Sequence, residues 1–210
     1  MKRLLLPLLL MIFILTFSIT LTLNFRPLYY HDIQALKIEQ TSGFSKKVIY
    51  KNYNELIDYN SIFHRKPLNL TMKMSKKGRI HFEEVKKIFS VLQILMFISL
   101  IGSLYLGSRH FQRKDYTFLK TASIITPAFP LISGMIIAAN WNKAFILFHK
   151  ILFRNDYWIF DEYFDPVIKI LPDTFFFHCA LMIIFLIILG SSLCFAIYKF
   201  CSSFRHKSML

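Results

Sequence analysis

The sequence predicts an all-α membrane protein: four transmembrane helices with a small α+β extracytoplasmic cap built from two outer segments. Three observations carry this expectation. Of the 210 residues 55% are hydrophobic and 18% charged, whereas a soluble domain of this size carries less of the first and more of the second. The mean hydropathy is correspondingly high, at +0.45. Four apolar runs, at about 4–23, 88–106, 122–139 and 175–198, match the roughly 20 residues needed to cross about 30 Å of hydrocarbon at about 1.5 Å per residue.

The first run follows Lys2 and Arg3. It is longer than the apolar core of a secretory signal, and no small-x-small cleavage site follows "TLTLNF". An uncleaved anchor is expected. The third run contains Pro127, Pro130 and Gly134, which predict a kink whose freed carbonyls need other partners. Orientation follows from the short flanks. Lys2 and Arg3, then Arg109, Arg113 and Lys114, then Lys199, Arg205 and Lys207 all fall on one side of a four-span chain. The positive-inside rule makes that side cytoplasmic. Residues 1–210 thus read as a single multi-pass domain of the plasma membrane, with both termini cytoplasmic and outer segments at about 24–87 and 140–174. The first outer segment is basic too, but it is about 60 residues long, where the rule loses force.

The net charge of +14 points to anionic lipid headgroups as a partner. The basic residues form no compact motif or repeated stripe, which argues against nucleic acid. Cys179, Cys194 and Cys201 all lie in or beside the last apolar run, so no disulfide framework is implied.

In the first outer segment, Val48, Ile49, Tyr53, Leu56, Ile57 and Tyr59 recur at near-helical spacing after Ser42 or Ser45 as a cap. Leu68, Leu70, Met72 and Met74 then alternate with polar residues. This predicts a strand, with "SKKG" as a turn and 79–82 as a returning strand. In the second, Phe145, Phe148, Ile151 and Leu152 predict an apolar helical stripe ending near Arg154. Asp165 followed by Pro166 predicts a capped start for "DPVIKILP". Trp141, Tyr157, Trp158 and Tyr163 suit the headgroup zone.

The sequence has no Walker loop, GxGxxG, HExxH, CxxC or GxSxG, the usual markers of nucleotide use, zinc proteolysis and a serine-hydrolase elbow. Titratable groups instead gather near the outer boundary: His81, His149, His178 and several acids. Histidine exchanges protons near neutrality, and two facing one pocket can divide acid and base roles. Taken singly, each has a plainer reading. A boundary histidine is most often an interfacial polar residue. Glu83 and Glu84 stand at ion-pair spacing from Lys87. Trp158 suits a membrane anchor, and His178, inside an apolar run, suits a hydrogen bond to a neighbouring helix. The spacing of His81, His149 and an Asp carries no specific metal signal.

Several stretches resemble one family of integral membrane proteins, that of the lipoprotein intramolecular transacylase, Lit. "GFSKKVIYKNYNELIDY" resembles its outer helix, "HFEEVK" its "H..DVK" at the head of helix two, and "FHKILFRNDYW" and "DPVIKILP" its second outer segment. Glu84 departs from the pattern, standing where the family is expected to carry Asp; the charge is kept and the carboxylate displaced. The resemblance implies an acyltransferase of Gram-positive bacteria. Such enzymes move the sn-2 acyl chain of a lipoprotein's diacylglyceryl-cysteine onto that cysteine's α-amine, giving a lyso-form lipoprotein. It implies a diacylated lipoprotein substrate, membrane lipid as surroundings, no cofactor and no metal. On this reading His81 and His149 are the catalytic candidates, either one serving as base. Glu84, Asp156 and Asp165 are candidates to orient an imidazole, with Trp158 as a supporting residue. A non-catalytic lipid-binding or assembly protein is the alternative.

Overall fold

The computed structural model describes residues 2–207, without the side chains of residues 2, 3, 129 and 204–207. The orientation expectation thus rests partly on side chains outside the described residues, those of Lys2, Arg3, Arg205 and Lys207. Nine α-helices are described: α1 (Lys2–Asn24), α2 (Arg26–Ala35), α3 (Ile38–Ser42), α4 (Lys46–Tyr59), α5 (Lys76–Gln112), α6 (Thr117–Ile125), α7 (Ala128–Ala139), α8 (Trp141–Leu152) and α9 (Asp173–Lys207). Four stretches among them, Leu4–Asn24, Lys76–Gln112, Thr117–Ala139 and Asp173–Ser203, are long and apolar enough to cross a membrane. The third is broken between α6 and α7, at Thr126 and Pro127, because a proline supplies no N–H to the helical ladder.

The chain divides into two compact units. One comprises Met1–Thr20, Leu92–Ala138 and Met182–Leu210. Its core joins Leu6 and Ile14 of α1, Phe118 and Leu119 of α6, and Ile187 and Cys194 of α9. Close approach is built from small residues: a Cβ on Gly190 would lie 2.9 Å from Ile14 Cγ2, the usual device for helix contact in lipid. Ile101, Leu104, Ile124, Met135, Phe185 and Leu193 point outward, as a lipid-facing surface requires. Several polar side chains are satisfied within their own helix. The hydroxyls of Ser18 and Thr126 each donate to the carbonyl four residues back, at 2.7 Å.

The other unit comprises Leu21–Val91 and Ala139–Leu181. Its core is larger and aromatic. Tyr29 of α2 stacks on Tyr53 of α4 at 3.7 Å and meets the edge of Phe175 at 4.9 Å. The Tyr29 hydroxyl donates to the Ile170 carbonyl. Ile38, Ile49, Val167 and Ile170 complete the fully buried centre. The amphipathic spacing read from the sequence appears as α4, whose buried positions include Ile49, Tyr53, Leu56 and Ile57. The sequence reading assigned no elements to α2 and α3; Pro27, at the start of α2, is the helix-start signal it passed over.

The expected hairpin does not form: among the described residues there is no strand, so the cap is helical rather than α+β. The alternation itself is real, with Leu68 and Met72 buried and Asn69, Thr71 and Lys73 exposed. Side chains of α4 take the place of a partner strand. Glu55 accepts the Asn69 N–H at 2.9 Å and Asn52 accepts that of Thr71 at 2.8 Å. "SKKG" is a helix start instead of a turn. The Ser75 hydroxyl accepts the Gly78 N–H at 2.9 Å, a capping bond. Residues 79–82, read as a returning strand, are the next turn of α5.

Candidate active site

His81 and His149 come from elements far apart in sequence and meet in the second unit. His81 lies in the second turn of α5, just after Gly78, and is 6% exposed. His149 lies in the last turn of α8. Their ring centroids are 6.3 Å apart, with 31° between the planes.

The surroundings of both rings are aromatic. Phe153, which ends α8, approaches both, at 4.7 Å from His81 and 5.8 Å from His149. Phe160 meets His81 edge-on at 5.4 Å. Phe145 lies 4.2 Å from His149, and Trp158 stacks on it at 4.7 Å. Of the expected apolar stripe of α8 only Phe145 turns inward, because Phe148, Ile151 and Leu152 are exposed. The inward positions are Trp141, Ala144, Phe145 and His149, four-residue steps along one face plus a small neighbour.

Hydrogen bonding distinguishes the two imidazoles. His149 Nδ1 lies 2.8 Å from the Phe145 carbonyl oxygen. A carbonyl only accepts, so Nδ1 carries the proton and Nε2 holds the free lone pair. Burial pushes the His149 pKa below the usual histidine value, against the opposing effect of its bond to Phe145. The ring is thus held neutral, with its Nε2 lone pair available. His81 Nδ1 is buried with no hydrogen-bond partner, the kind of orphaned group that concentrates at functional sites.

No carboxylate hydrogen-bonds either imidazole among the described residues. Glu84 accepts from the Asn155 side-chain amide through both oxygens, at 2.9 and 3.2 Å. Asn155 in turn accepts the Tyr157 N–H at 3.0 Å. Asp165 is 4% exposed and accepts the Ser75 N–H at 2.7 Å; it makes no side-chain cap on the 3₁₀ turn Pro166–Ile170 that follows it, contrary to the sequence expectation. A Cβ on Gly78 would collide with the Asp165 carboxylate and lie 3.1 Å from Phe160, so only glycine admits this approach. Asp156 is exposed. The acids therefore hold the loop that spans residues 153–165. They tie it to α5 at both ends, by Asn155–Glu84 and Asp165–Ser75. Between those ties the loop delivers Trp158 to one imidazole and Phe160 to the other.

His178 stands apart from this pair. Its Nδ1 lies 2.8 Å from Asp32 Oδ2 of α2, a link between α2 and α9. Sequence reasoning missed Ser75, Gly78, Asn155, Phe153 and Phe160. Asn155 follows a helix end and precedes Asp156, a turn signal; the others carry none that separates them from their neighbours. Among the described residues no group of three or more His, Cys, Asp or Glu is placed to hold a metal ion.

The model of the family "Lipoprotein intramolecular transacylase Lit" matches residues 4–176, most of the chain. The chain belongs to the Lit family. It is accordingly an acyltransferase, and the non-catalytic alternative falls. The fold is similar to that of the membrane integral lipoprotein intramolecular transacylase Lit from Bacillus cereus. TM-score is 0.95 and identity 36%, over 98% of this chain and 96% of that one. Two further structures of that protein, with one histidine replaced by arginine or by alanine, each match with a TM-score of 0.89. Identity is 36% and 35%; both cover 98% of this chain, and 92% and 94% of the other. No curated protein sequence matches.

Proposed function

We propose that this enzyme moves the sn-2 acyl chain of a lipoprotein's diacylglyceryl-cysteine onto the α-amine of the same cysteine. The observation that carries this reading is the pair of imidazoles, His81 buried and His149 half-buried, with ring centroids 6.3 Å apart in a Lit-family chain. The amine attacks only when neutral, and its ordinary pKa is about 8. His149 Nε2 takes the amine proton as nitrogen bonds to the ester carbonyl carbon. His81 presents a ring N–H to the glyceryl oxygen. As the tetrahedral intermediate collapses, the C–O bond to glycerol breaks and that oxygen gains the proton. Exchange between the two imidazoles returns both to the neutral state. The products are an amide and a free glyceryl hydroxyl, and no external acyl acceptor enters. Amine and ester belong to one molecule, so proximity supplies much of the rate. The aromatic box excludes water, which would otherwise hydrolyse the ester.

In the same reading the four spans, at about 4–23, 88–106, 122–139 and 175–198, cross the plasma membrane in one domain of residues 1–210. The termini are cytoplasmic. Outer segments 24–87 and 140–174 place the imidazoles at headgroup depth on the extracytoplasmic face, where the ester of a bilayer-anchored substrate lies. Membrane lipid surrounds the spans.

The test is expression in a host whose lipoproteins are diacylated. Mass spectrometry of the N-terminal lipopeptide should show acylation on nitrogen together with loss of the sn-2 ester. An unchanged diacylglyceryl peptide would contradict the proposal.

A further inference from the structure

The loop between residues 153 and 165 is tied to α5 at both ends, and what it presents at its centre is an unsatisfied donor. Trp158 stacks on His149 with ring centroids 4.7 Å apart and 29° between planes. Its indole Nε1 is buried and has no acceptor. A buried donor without a partner opposes folding, because it has given up water for nothing. Such a group persists where it meets something that arrives later, such as charge that develops during a reaction.

Apart from His81 Nδ1, which has no partner, the acids beside the two rings and His149 Nδ1 are already committed. Glu84 is held by Asn155, Asp165 by Ser75, and His149 Nδ1 by Phe145. The remaining neighbours of the imidazoles are phenylalanines. Attack of the amine on the ester, which forms the tetrahedral intermediate, nevertheless puts a full negative charge on the former carbonyl oxygen, in a site lined by apolar rings. That oxygen needs a hydrogen-bond donor. The imidazoles are occupied with the amine and the glyceryl oxygen. Trp158 Nε1–H, stacked against the base, is the uncommitted donor beside them.

We propose that the Trp158 indole N–H donates to the oxyanion of the tetrahedral intermediate, making Trp158 a catalytic residue. This rests on the acyl-transfer reading above. The electron count is simple. When the amine nitrogen bonds to the carbonyl carbon, the C=O π pair moves onto oxygen, where the indole N–H meets it. When the pair returns, the carbonyl re-forms and the bond to the glyceryl oxygen breaks. The indole keeps its proton throughout. The arrangement also gives the Glu84–Asn155 contact a purpose: the bond from Asn155 to the Tyr157 N–H fixes the turn immediately before Trp158.

The test removes the N–H and keeps the ring. In purified full-length enzyme, Trp158→Phe should lower kcat by about 100- to 1,000-fold, the usual effect of losing one oxyanion donor, with KM little changed. Because Phe is smaller, a second substitution guards against a packing defect. At position 158, 3-benzothienylalanine, isosteric with tryptophan but carrying sulfur in place of N–H, should lose as much. Trp141→Phe is the control. Trp141 also has a buried, unbonded Nε1, but it packs on Phe145 and Phe177, and its variant should keep wild-type kcat. Wild-type kcat in the benzothienyl enzyme would overturn the proposal. So would equal losses in the Trp141 and Trp158 variants. Full activity in both His81→Ala and His149→Ala would instead overturn the acyl-transfer site on which it rests.

Discussion

The two units differ in how far most of their buried polar groups reach for a partner. In the unit built from Met1–Thr20, Leu92–Ala138 and Met182–Leu210, buried hydroxyls mostly bond their own helix, as Ser18 does to Ile14 and Thr126 to Ala122, and Ser191, which donates to the Ser123 carbonyl, is the exception among the described bonds. In the other unit the polar bonds reach across the chain. Asp165 reaches Ser75 over 90 residues, Asn155 reaches Glu84 over 71, and His178 reaches Asp32 over 146. Local satisfaction makes helices that tolerate lipid on their outer faces. Distant satisfaction fixes loops against helices, which is what a site of two imidazoles and an indole requires. Substitutions in the second unit should therefore act on catalysis, and those in the first on stability.

The largest effect is expected at the imidazoles. His81→Ala and His149→Ala should each lower the rate of lyso-lipoprotein formation by about 100- to 10,000-fold, the range for a general acid or base. A loss under tenfold in either would break the contrast between the units. Next comes Gly78→Ala. The added Cβ displaces Asp165 and Phe160, and with them the packing of His81. A misplacement of about 1 Å can cost about 100-fold, so a loss of about 10- to 100-fold in kcat is expected. Asp165→Asn should be milder, since its side-chain oxygen still accepts from Ser75.

The pH dependence follows from His149. Its folded pKa is lowered by burial, so the neutral base is present from that depressed value upward and is lost as pH falls through it. The native state binds this proton less readily than the unfolded chain, so protonation below about pH 6.5 also opposes the fold. NMR of ring-labelled protein should place the His149 midpoint below 6.5; a midpoint at or above that value would remove the argument for a neutral base. Below the midpoint, kcat should drop about tenfold per pH unit.

Glu84→Ala loses the bond to Asn155 and should cost about tenfold, whereas Glu84→Gln, which still accepts, should stay near wild type. The smallest effect on chemistry is expected in the other unit. Gly190→Leu would overpack against Ile14 and destabilise by about 1–3 kcal/mol. That would be read as a lower thermal midpoint, with kcat unchanged at permissive temperature.

Much of this was legible in the sequence because it is periodic. Apolar runs of membrane length, the near-helical spacing of α4 and the kink at Pro127 are all local patterns. So is the alternation at Leu68, Leu70, Met72 and Met74, which the burial of Leu68 and Met72 against exposed neighbours bears out. The error lay in pairing it. Whether an alternating segment hydrogen-bonds a strand or the side chains of Asn52 and Glu55 is decided by groups outside the pattern. The candidate site divides the same way. His81, His149 and Trp158 stood out by residue type. The roles of Glu84 and Asp165 did not, because a carboxylate near a helix start looks alike whether it serves an imidazole, its own helix or a distant amide. Gly78 carried no signal, since its need for a missing Cβ arises only when Asp165 folds onto it.

The central claim is that His81 and His149 act as one unit on one acyl group. A double-mutant cycle tests it most directly. Rates of O-to-N acyl transfer would be measured for His81→Ala, His149→Ala and the double variant with one diacylated lipopeptide. Residues that act together lose most of their effect at the first deletion. The double variant should therefore be no more than about threefold slower than the slower single. Losses that multiply would contradict the account, since the two imidazoles would then be serving separate purposes.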